Sequence, residues 1–391
     1  MALCALALPD VAIGARVWEN TRDACPYVFS ESGDWLSCVG GLATDEPLHL
    51  GLGRTVVPGD GSLGLVAQNT TSWGKQMIRM DARASQRRFW ATGLTYGYAD
   101  WNLEMDAHRR RLASLPYFGI GAQSSDVKST FAADEVSFMT SSFLELTTEQ
   151  VRFEGVIGYD QWKLSRTGTS PVQDHFTDAT APALAAQPRY VVYGVMAVWP
   201  TKQDGTHQFS WGSLDFVFDG TSANETLFED VSGQDRSFLR TDVGLDGHVD
   251  FDHEGGVDNG TLSASARVKI AHASATSVPF YMQPSLGGAD ITGEESLRGF
   301  TYYRFRGTNA ASARIEYVHS LPDQRYRPFV LFDIGQVALS TSELTRFGHL
   351  RHSVGIGLAL YWDNREFARL YAAGAGGEGW QFIMRISEDF F

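Results

Sequence analysis

The fold of this chain is decided by four runs between residues 280 and 335: Phe280-Tyr-Met-Gln-Pro-Ser-Leu-Gly-Gly288, Ser296-Leu-Arg-Gly-Phe-Thr301, Ser312-Ala-Arg-Ile-Glu-Tyr317 and Phe329-Val-Leu-Phe-Asp-Ile-Gly335. The first two runs predict a loop. The last two alternate in polarity, as strands with one apolar face do. Alternation puts Glu316 and Asp333 opposite the apolar side chains of their strands. Carboxylates that face away from an apolar surface are typical of a closed β-barrel with a lipid-facing wall and a wet interior.

Arg298 lies on the loop and is predicted to pair with both carboxylates. A guanidinium keeps its charge, so an enclosed one needs a fixed counter-charge, which facing carboxylates supply in bidentate geometry. Gly299 allows the loop backbone to turn tightly or to approach the barrel wall closely. We therefore expect a loop that folds back into the barrel lumen and is held there by Arg298, Glu316 and Asp333.

These residues also carry a family resemblance. Leu297-Arg-Gly-Phe300, followed by Glu316 and by Phe332-Asp-Ile-Gly335, resembles the barrel of the bacterial surface antigen superfamily, the outer-membrane assembly proteins of the BamA and TamA type. The resemblance is densest from Pro279 to Phe391; before that, Tyr117-Phe-Gly-Ile-Gly121 is the best match. It implies an all-β protein, a transmembrane antiparallel β-barrel with the Leu-Arg-Gly-Phe motif on a lumenal loop. It also implies insertion of outer-membrane proteins, or passage of proteins through that membrane, at a weakly paired seam between the first and last strands.

The end of the chain has the pattern of a terminal barrel strand. Bulky apolar residues share one face, polar residues share the other, and the chain ends on two aromatic residues. The residues of this C-terminal strand signal are Trp380, Phe382, Met384, Ile386, Phe390 and Phe391. Such a strand resembles the C-terminal recognition strand of outer-membrane barrels, and its outward tryptophan suits a membrane interface.

The rest of the sequence predicts how the chain is organised. Residues 1–15 resemble a signal-peptide remnant, residues 16–47 are expected to be a periplasmic or plug-like lead-in, and residues 48–391 form the barrel. Cys25 and Cys38 are candidates for a disulfide, although their spacing fixes no geometry. At about 20 to 25 residues per strand with its connection, the chain allows roughly 14 to 16 strands, and we expect about 16. Residues 221–236 are expected to form a loop.

Composition and motifs exclude several classes of protein. No run of about 18 or more apolar residues exists, so a helical membrane span is excluded. The net charge of −14 argues against nucleic acid or an anionic membrane surface as a partner. Gly374–Gly379 matches a dinucleotide-binding spacing but precedes a strand instead of a helix. Glu316 and Asp333 do not suit a hydrolase, because Arg298 between them would hold both in the ionised form, which leaves no general acid. We predict no enzyme activity, no cofactor and no metal site.

Two alternatives to protein assembly stay open. Assembly proteins of this family usually carry POTRA domains before the barrel, each of about 75 to 80 residues, and residues 1–47 are expected to leave no room for one. The alternatives are a channel or porin-like barrel, and a barrel module that works with a separate periplasmic partner. We expect a location in the outer membrane of a Gram-negative cell, with membrane lipid as a partner. For the assembly function, we expect unfolded outer-membrane or secreted proteins as substrates.

Overall fold

The computed structural model of this chain describes twelve stretches of residues, and every structural statement below concerns these. They are residues 48–52, 62–70, 76–85, 88–98, 102–146, 151–199, 207–211, 214–253, 257–291, 294–321, 325–362 and 365–386. The predictions for residues 1–47, which include Cys25 and Cys38, lie outside the described residues. So do those for Phe390 and Phe391.

The described residues fold almost entirely into β-strands. The strands of the main sheet are β1 (Leu48–Leu52), β2 (Ser62–Thr70), β3 (Gln76–Ser85), β4 (Trp90–Tyr98), β5 (Leu103–Tyr117), β6 (Ser129–Leu146), β7 (Val151–Arg166), β8 (Arg189–Trp199), β9 (His207–Trp211), β10 (Leu214–Asp230), β11 (Phe238–His253), β12 (Val257–Ala271), β17 (Asn309–His319), β18 (Tyr326–Ala338), β19 (Arg351–Trp362), β20 (Arg365–Ala375) and β21 (Gly379–Ile386). Four two-residue strands lie between β12 and β17: β13 (Ser285–Leu286), β14 (Gly288–Ala289), β15 (Glu295–Ser296) and β16 (Phe305–Arg306). The short helices are α1 (Val172–His175) and α2 (Thr341–Leu344). None of the helices in these stretches is long and apolar enough to span a membrane.

Within the described residues, seventeen strands form one sheet, and its pairings are antiparallel. β8 and β9 lie one after the other along β10, so two of the seventeen strands share one position. The sheet is therefore sixteen strands wide, which agrees with the expected number. Over the same residues no pairing joins β1 to β21, so backbone hydrogen bonds do not complete the expected closed cylinder there.

The prediction of a loop at residues 221–236 is wrong for residues 221–230. β10 continues to Asp230, and residues 221–230 pair with β8 on one side while residues 221–228 pair with β11 on the other. Small and polar side chains hide the alternation in this part of the sequence. Backbone hydrogen bonds to two neighbouring strands do not depend on those side chains, and they extend the strand.

The two faces of the sheet differ in the predicted way. Ile315, Val330 and Phe332 are exposed on one face, whereas Leu331 and Asp333 are buried on the other. We call the face with the exposed apolar residues the outer face, and the opposite one the inner face. Further exposed apolar residues are Met80, Leu94, Phe138, Ile157, Tyr193, Val243, Ile356 and Phe382. The alternation predicted for β17 and β18 is thereby confirmed.

The described residues of the connection between β12 and β17, 272–291 and 294–308, lie against the inner face, and we call them the β12–β17 segment. Phe280 packs against Tyr117 and Phe131, with ring centroids 4.7 and 4.9 Å apart. The same segment reaches β18 through Arg298. Because strands from distant parts of the sheet contact one segment, the sheet curves around it, and much of the core lies between segment and wall.

Candidate functional site

The motif Leu297–Phe300 forms a tight turn within the β12–β17 segment. Leu297 has a φ of 46°, which is uncommon for a residue other than glycine, and the Phe300 N–H donates to its carbonyl at 2.9 Å. Both side chains are buried in one cluster with Leu286 and Phe305. The apolar side chains hold the turn, and the intervening Arg298 extends towards the wall.

Arg298 binds Asp333 of β18 in a bidentate arrangement. Nη2 lies 2.8 Å from Oδ1, Nε lies 3.1 Å from Oδ2, and the Arg298 backbone N–H donates to Oδ2 at 2.7 Å. Ser353 of β19 donates its hydroxyl to Oδ2 at 3.1 Å. Asp333 is fully buried, at 0% exposure, so these donors take the place of water around its carboxylate.

Glu316 of β17 accepts from the other side of the same guanidinium. Arg298 Nη1 lies 2.6 Å from Glu316 Oε2, and Arg369 of β20 donates to Oε1. Arg369 also binds Glu366 on its own strand, with Nη2 2.8 Å from Oε2. We call these five residues the Arg298 network: Arg298, Asp333, Glu316, Ser353 and Arg369. It connects the β12–β17 segment with four adjacent strands, β17 to β20.

The network keeps a buried guanidinium charged. Only 4% of Arg298 is exposed. Burial by itself lowers the pKa of the guanidinium, but the hydrogen bonds and charge of Asp333, with the charge of Glu316, raise the pKa above its usual range. Removing the cation would leave the buried Asp333 and the partly buried Glu316 each short of a partner, which is strongly destabilising in a protein interior.

Two glycines let the segment approach the wall. A Cβ on Gly299 would lie 2.7 Å from backbone atoms of Gly374 in β20 and 2.8 Å from Ser353 Cβ. A Cβ on Gly335 would lie 2.8 Å from the Ala311 carbonyl and 3.1 Å from Leu286 of the segment. Real Cβ atoms are not found as close to backbone as 2.7 Å, so the turn can contact β20 as it does only with glycine at position 299.

Glu295, two residues before the motif, extends the contact to the last strand. Tyr371 of β20 donates its hydroxyl to Oε1 at 3.0 Å, and Arg385 Nη1 of β21 lies 2.7 Å from the same oxygen. Gln381 of β21 also donates to the Gly299 carbonyl at 3.4 Å. The segment is thus joined to β21, the C-terminal edge of the described sheet.

Arg304 makes a second ionic contact, at the end of the barrel with the long connections. Its guanidinium binds Glu378 in the turn between β20 and β21, and its Nη2 lies 2.5 Å from Asp126 in the connection after β5. Ser124 accepts from Nη1 at 2.9 Å. One side chain therefore bridges the C-terminal hairpin and a loop of the N-terminal half.

The inner face of β5 and β6 carries a separate charged cluster. His108 Nε2 lies 3.5 Å from Glu135, and Arg110 forms an ion pair with the same carboxylate. Arg110 Nη1 also donates to the carbonyl of Ile291 in the segment, at 3.4 Å. The described residues contain no group of three or more His, Cys, Asp or Glu that could hold a metal ion.

The described part of the C-terminal strand has its bulky residues on the outer face. Trp380, Phe382 and Met384 are exposed, and Phe382 is 87% exposed. Phe332 of the strand motif is also exposed on the outer face, whereas its neighbour Asp333 is buried on the inner face. The side chain of Ile386 lies outside the described residues.

Sequence reasoning missed Ser353, Arg369, Glu295 and Arg385 as members of the site. Alternation already puts Arg369 and Arg385 on the inner faces of their strands, and an inward cation needs a carboxylate. That signal could have indicated a larger charged network. Their actual partners depend on strand register.

Comparison with solved structures is informative about the fold. BamA from Haemophilus ducreyi lacking POTRA domains 1–3 is similar with a TM-score of 0.55 and 13% identity, over 86% of this chain and 68% of that chain. CdiB from Acinetobacter baumannii gives a TM-score of 0.51 at 11% identity, over 88% of this chain and 60% of that one. CdiB from Escherichia coli gives 0.50 at 14% identity, over 88% and 61%. The fold is that of the BamA and CdiB barrels.

The expected all-β barrel of the BamA type is thereby confirmed at the level of fold. No family model matches the sequence, and no curated protein matches it either. This chain spans about three fifths of the length of the CdiB chains. What the BamA and CdiB proteins do therefore bears on this chain only as support for a proposal.

Proposed function

We propose that this chain is an outer-membrane β-barrel that inserts proteins into that membrane or passes them through it. The observation that carries the proposal is the edge of β21. Over the described residues β21 pairs with β20 alone, and the wall beside this edge is braced from inside by the Arg298 network. A template for an incoming strand needs an edge that can form main-chain hydrogen bonds with it. It also needs a wall that stays in position while they form.

In the proposed step, an extended segment of the incoming protein pairs with the edge of β21. A strand edge presents a row of N–H and C=O groups that can bind an extended chain by main-chain hydrogen bonds. The outward Trp380, Phe382 and Met384 put this edge against lipid, where an unpaired backbone group is costly. An incoming strand would therefore be stabilised as soon as it pairs. The bracing by Arg298 and Glu295 would hold β20 and β21 in position meanwhile.

The filled interior favours protein assembly over an open channel. The β12–β17 segment contacts both halves of the sheet through buried residues, among them Phe280, Tyr303 and Arg298. A porin-like barrel leaves an aqueous path. The separate periplasmic partner stays a prediction, as does the absence of enzyme activity.

The proposal is tested by reconstitution of the purified chain into liposomes. A urea-unfolded eight-stranded outer-membrane barrel is added, and its folded fraction is followed by heat-modifiable gel migration. We expect insertion to be faster than into empty liposomes. Arg298→Ala should abolish this gain, whereas Arg152→Gln should retain it, because Arg152 is partly exposed and pairs with Glu154 on its own strand.

Two outcomes would overturn the proposal. One is insertion at the rate of empty liposomes by a chain that is itself folded. The other is a steady ohmic conductance in planar bilayers without any gain in insertion, which would identify a channel. Arg298→Ala is first checked for its own folding by the same gel assay.

A further inference from the structure

A group of cations lies on the outer face of β5 to β8, where lipid-facing residues are expected to be apolar. Arg111 pairs in register with Asp134, and Asp134 with Lys163. Two residues away along each strand is a second register row. In it, Arg109 pairs with Val136, Val136 with Gln161, and Gln161 with Arg189. We call Arg109, Arg111, Lys163 and Arg189 the basic patch. Side chains directly opposite one another point to the same face, so all four lie on the face of the exposed Val136.

The patch is compact. Arg109 and Arg189 are three strand spacings apart, about 14 Å at about 4.8 Å per spacing. Arg111 and Lys163 are two spacings apart, about 10 Å by the same measure. Four cations within one such area are close enough to contact a single headgroup or two adjacent ones.

The patch lies at the border of the apolar band. On β6 the exposed apolar residues of the outer face begin in the row of Arg109 and Arg189 and continue away from the patch: Val136, Phe138, Leu144 and Leu146. Ten residues separate Val136 from Leu146, about 33 Å of strand. With a strand tilt of about 40°, this is a height of about 25 Å, which is the height of the apolar band of outer-membrane barrels. The basic patch therefore lies at one edge of this band, from which long basic side chains extend to headgroup level.

The side of the membrane follows from the connections. Both rows lie near the ends of β5 and β7 that lead into residues 118–128 and 167–188. Long connections face the cell exterior in outer-membrane barrels, and short turns face the periplasm. The patch thus borders the outer leaflet.

The cations outnumber the carboxylates beside them: Asp134 lies between Arg111 and Lys163, and Glu229 is in register with Val191, two residues from Arg189. Within the described residues, the side chains of Lys163 and Arg189 have no ion-pair partner, and both are exposed. Arg109 is exposed too, with its guanidinium 5.5 Å from the Trp90 ring. Arg111 alone is paired, 3.1 Å from Asp134. In a chain with a net charge of −14, this excess of positive charge at one place is not a property of the whole surface.

We propose that the basic patch binds the phosphate groups of a phosphorylated lipid in the outer leaflet. Arginine and lysine are the usual partners of phosphate, and long basic side chains extend from the edge of an apolar band to the interface. Trp90 and Val136 supply the adjacent apolar surface for the lipid chains. The proposal rests on the membrane-embedded barrel of the proposed function, but not on its protein substrates.

The test measures lipid binding by the full chain in a non-ionic detergent. Native mass spectrometry follows the bound fraction during titration with bisphosphorylated lipid A and, as the matched ligand, dephosphorylated lipid A. We expect lipid A to bind more tightly. The double variant Lys163→Gln with Arg189→Gln should weaken lipid A binding at least about tenfold, from the contribution of each cation near an anionic surface. Neither side chain has an ion-pair partner in the part of the chain that the structure describes, so we expect both substitutions to leave folding unchanged.

The control removes two cations from exposed loop positions outside the patch, Lys128→Gln with Arg346→Gln, and should bind like the unmodified chain. Equal binding of the two ligands, or equal loss in both double variants, would overturn the proposal. If the chain is embedded in the membrane but does not insert proteins, the lipid titrations still test the basic patch. A chain that partitions into the aqueous phase on detergent phase separation would instead overturn the embedded barrel itself.

Discussion

The β12–β17 segment is held by the two halves of the sheet through different forces. Towards β17 to β21 the contacts are mainly ionic, with Arg298 between Asp333 and Glu316. Towards β5 to β7 they are mainly aromatic, with Phe280 and Tyr281 packed among Tyr117, Phe131 and Trp162. The segment is the same, but the energy that holds it differs from one side to the other.

The ionic contacts and the aromatic contacts contribute differently to the position of the segment and to its stability. A bidentate ion pair is directional, so Arg298 fits Asp333 in one register only. Aromatic packing scales with buried area and tolerates small shifts. We therefore interpret the C-terminal half as the side that positions the segment, and the N-terminal half as the side that contributes burial. Variants on the two sides should fail in different ways.

The largest effect is expected from charge reversal on the ionic side. Arg298→Glu would put a third carboxylate beside Asp333 and Glu316, a cost of more than about 5 kcal/mol in a buried site. We expect no heat-modifiable, folded barrel in detergent. Arg152→Glu is the control, because Arg152 is partly exposed and pairs with Glu154 on its own strand. Normal folding of Arg298→Glu, or unchanged stability and activity of Arg298→Ala, would contradict the bracing role.

On the aromatic side, Phe280→Ala should destabilise the barrel by about 4 kcal/mol, because it opens a cavity among rings that cannot all collapse into it. Phe280 is fully buried. Urea unfolding followed by tryptophan fluorescence measures the loss, and it should be the same at low and high salt. Phe347→Ala, at an exposed loop position, is the matched control. A loss as small as that of the control would show that the aromatic contact is not what stabilises this half.

The close approach of the segment to β20 is tested by Gly299→Ala. The new Cβ would meet the backbone of Gly374, which cannot move without disturbing the pairing of β20 with β19. We expect a loss of about 2 kcal/mol in the free energy of unfolding. Gly376→Ala changes a nearby glycine whose Cβ position has no atom within 4 Å among the described residues other than its own and those of its two chain neighbours, and it should be neutral. Equal stability of the two variants would mean that the turn is not held against β20.

The parts of the fold that were predictable are those in which local pattern and tertiary position agree. β17, β18 and β19 alternate clearly, so the face of each side chain followed from the sequence. In β10 the pattern fails beyond Gly220, because polar and small residues occupy both faces, and only pairing with β8 and β11 identifies the strand.

The site was predictable to the extent that charge alone determines it. An enclosed Arg298 requires carboxylates, and Glu316 and Asp333 are the inward acids of the next two strands. Ser353 and Arg369 join the network through the register of β18, β19 and β20, which no local pattern specifies. The contact of Glu295 with β21 likewise depends on how the segment lies across the sheet.

The smallest effect is expected at Arg306, another buried arginine of the segment. Its guanidinium donates to the carbonyl of Phe280 at 2.9 Å and has no carboxylate within ion-pair distance among the described residues. Burial lowers its pKa. Arg306→Met should therefore cost only about 1 kcal/mol, since the lost hydrogen bonds are offset by removal of a poorly compensated charge. Arg298→Met, the matched change beside two carboxylates, should cost about 3 to 5 kcal/mol. Urea unfolding of both variants measures the difference, and equal losses would mean that burial alone, and not the carboxylates, distinguishes the ionic side.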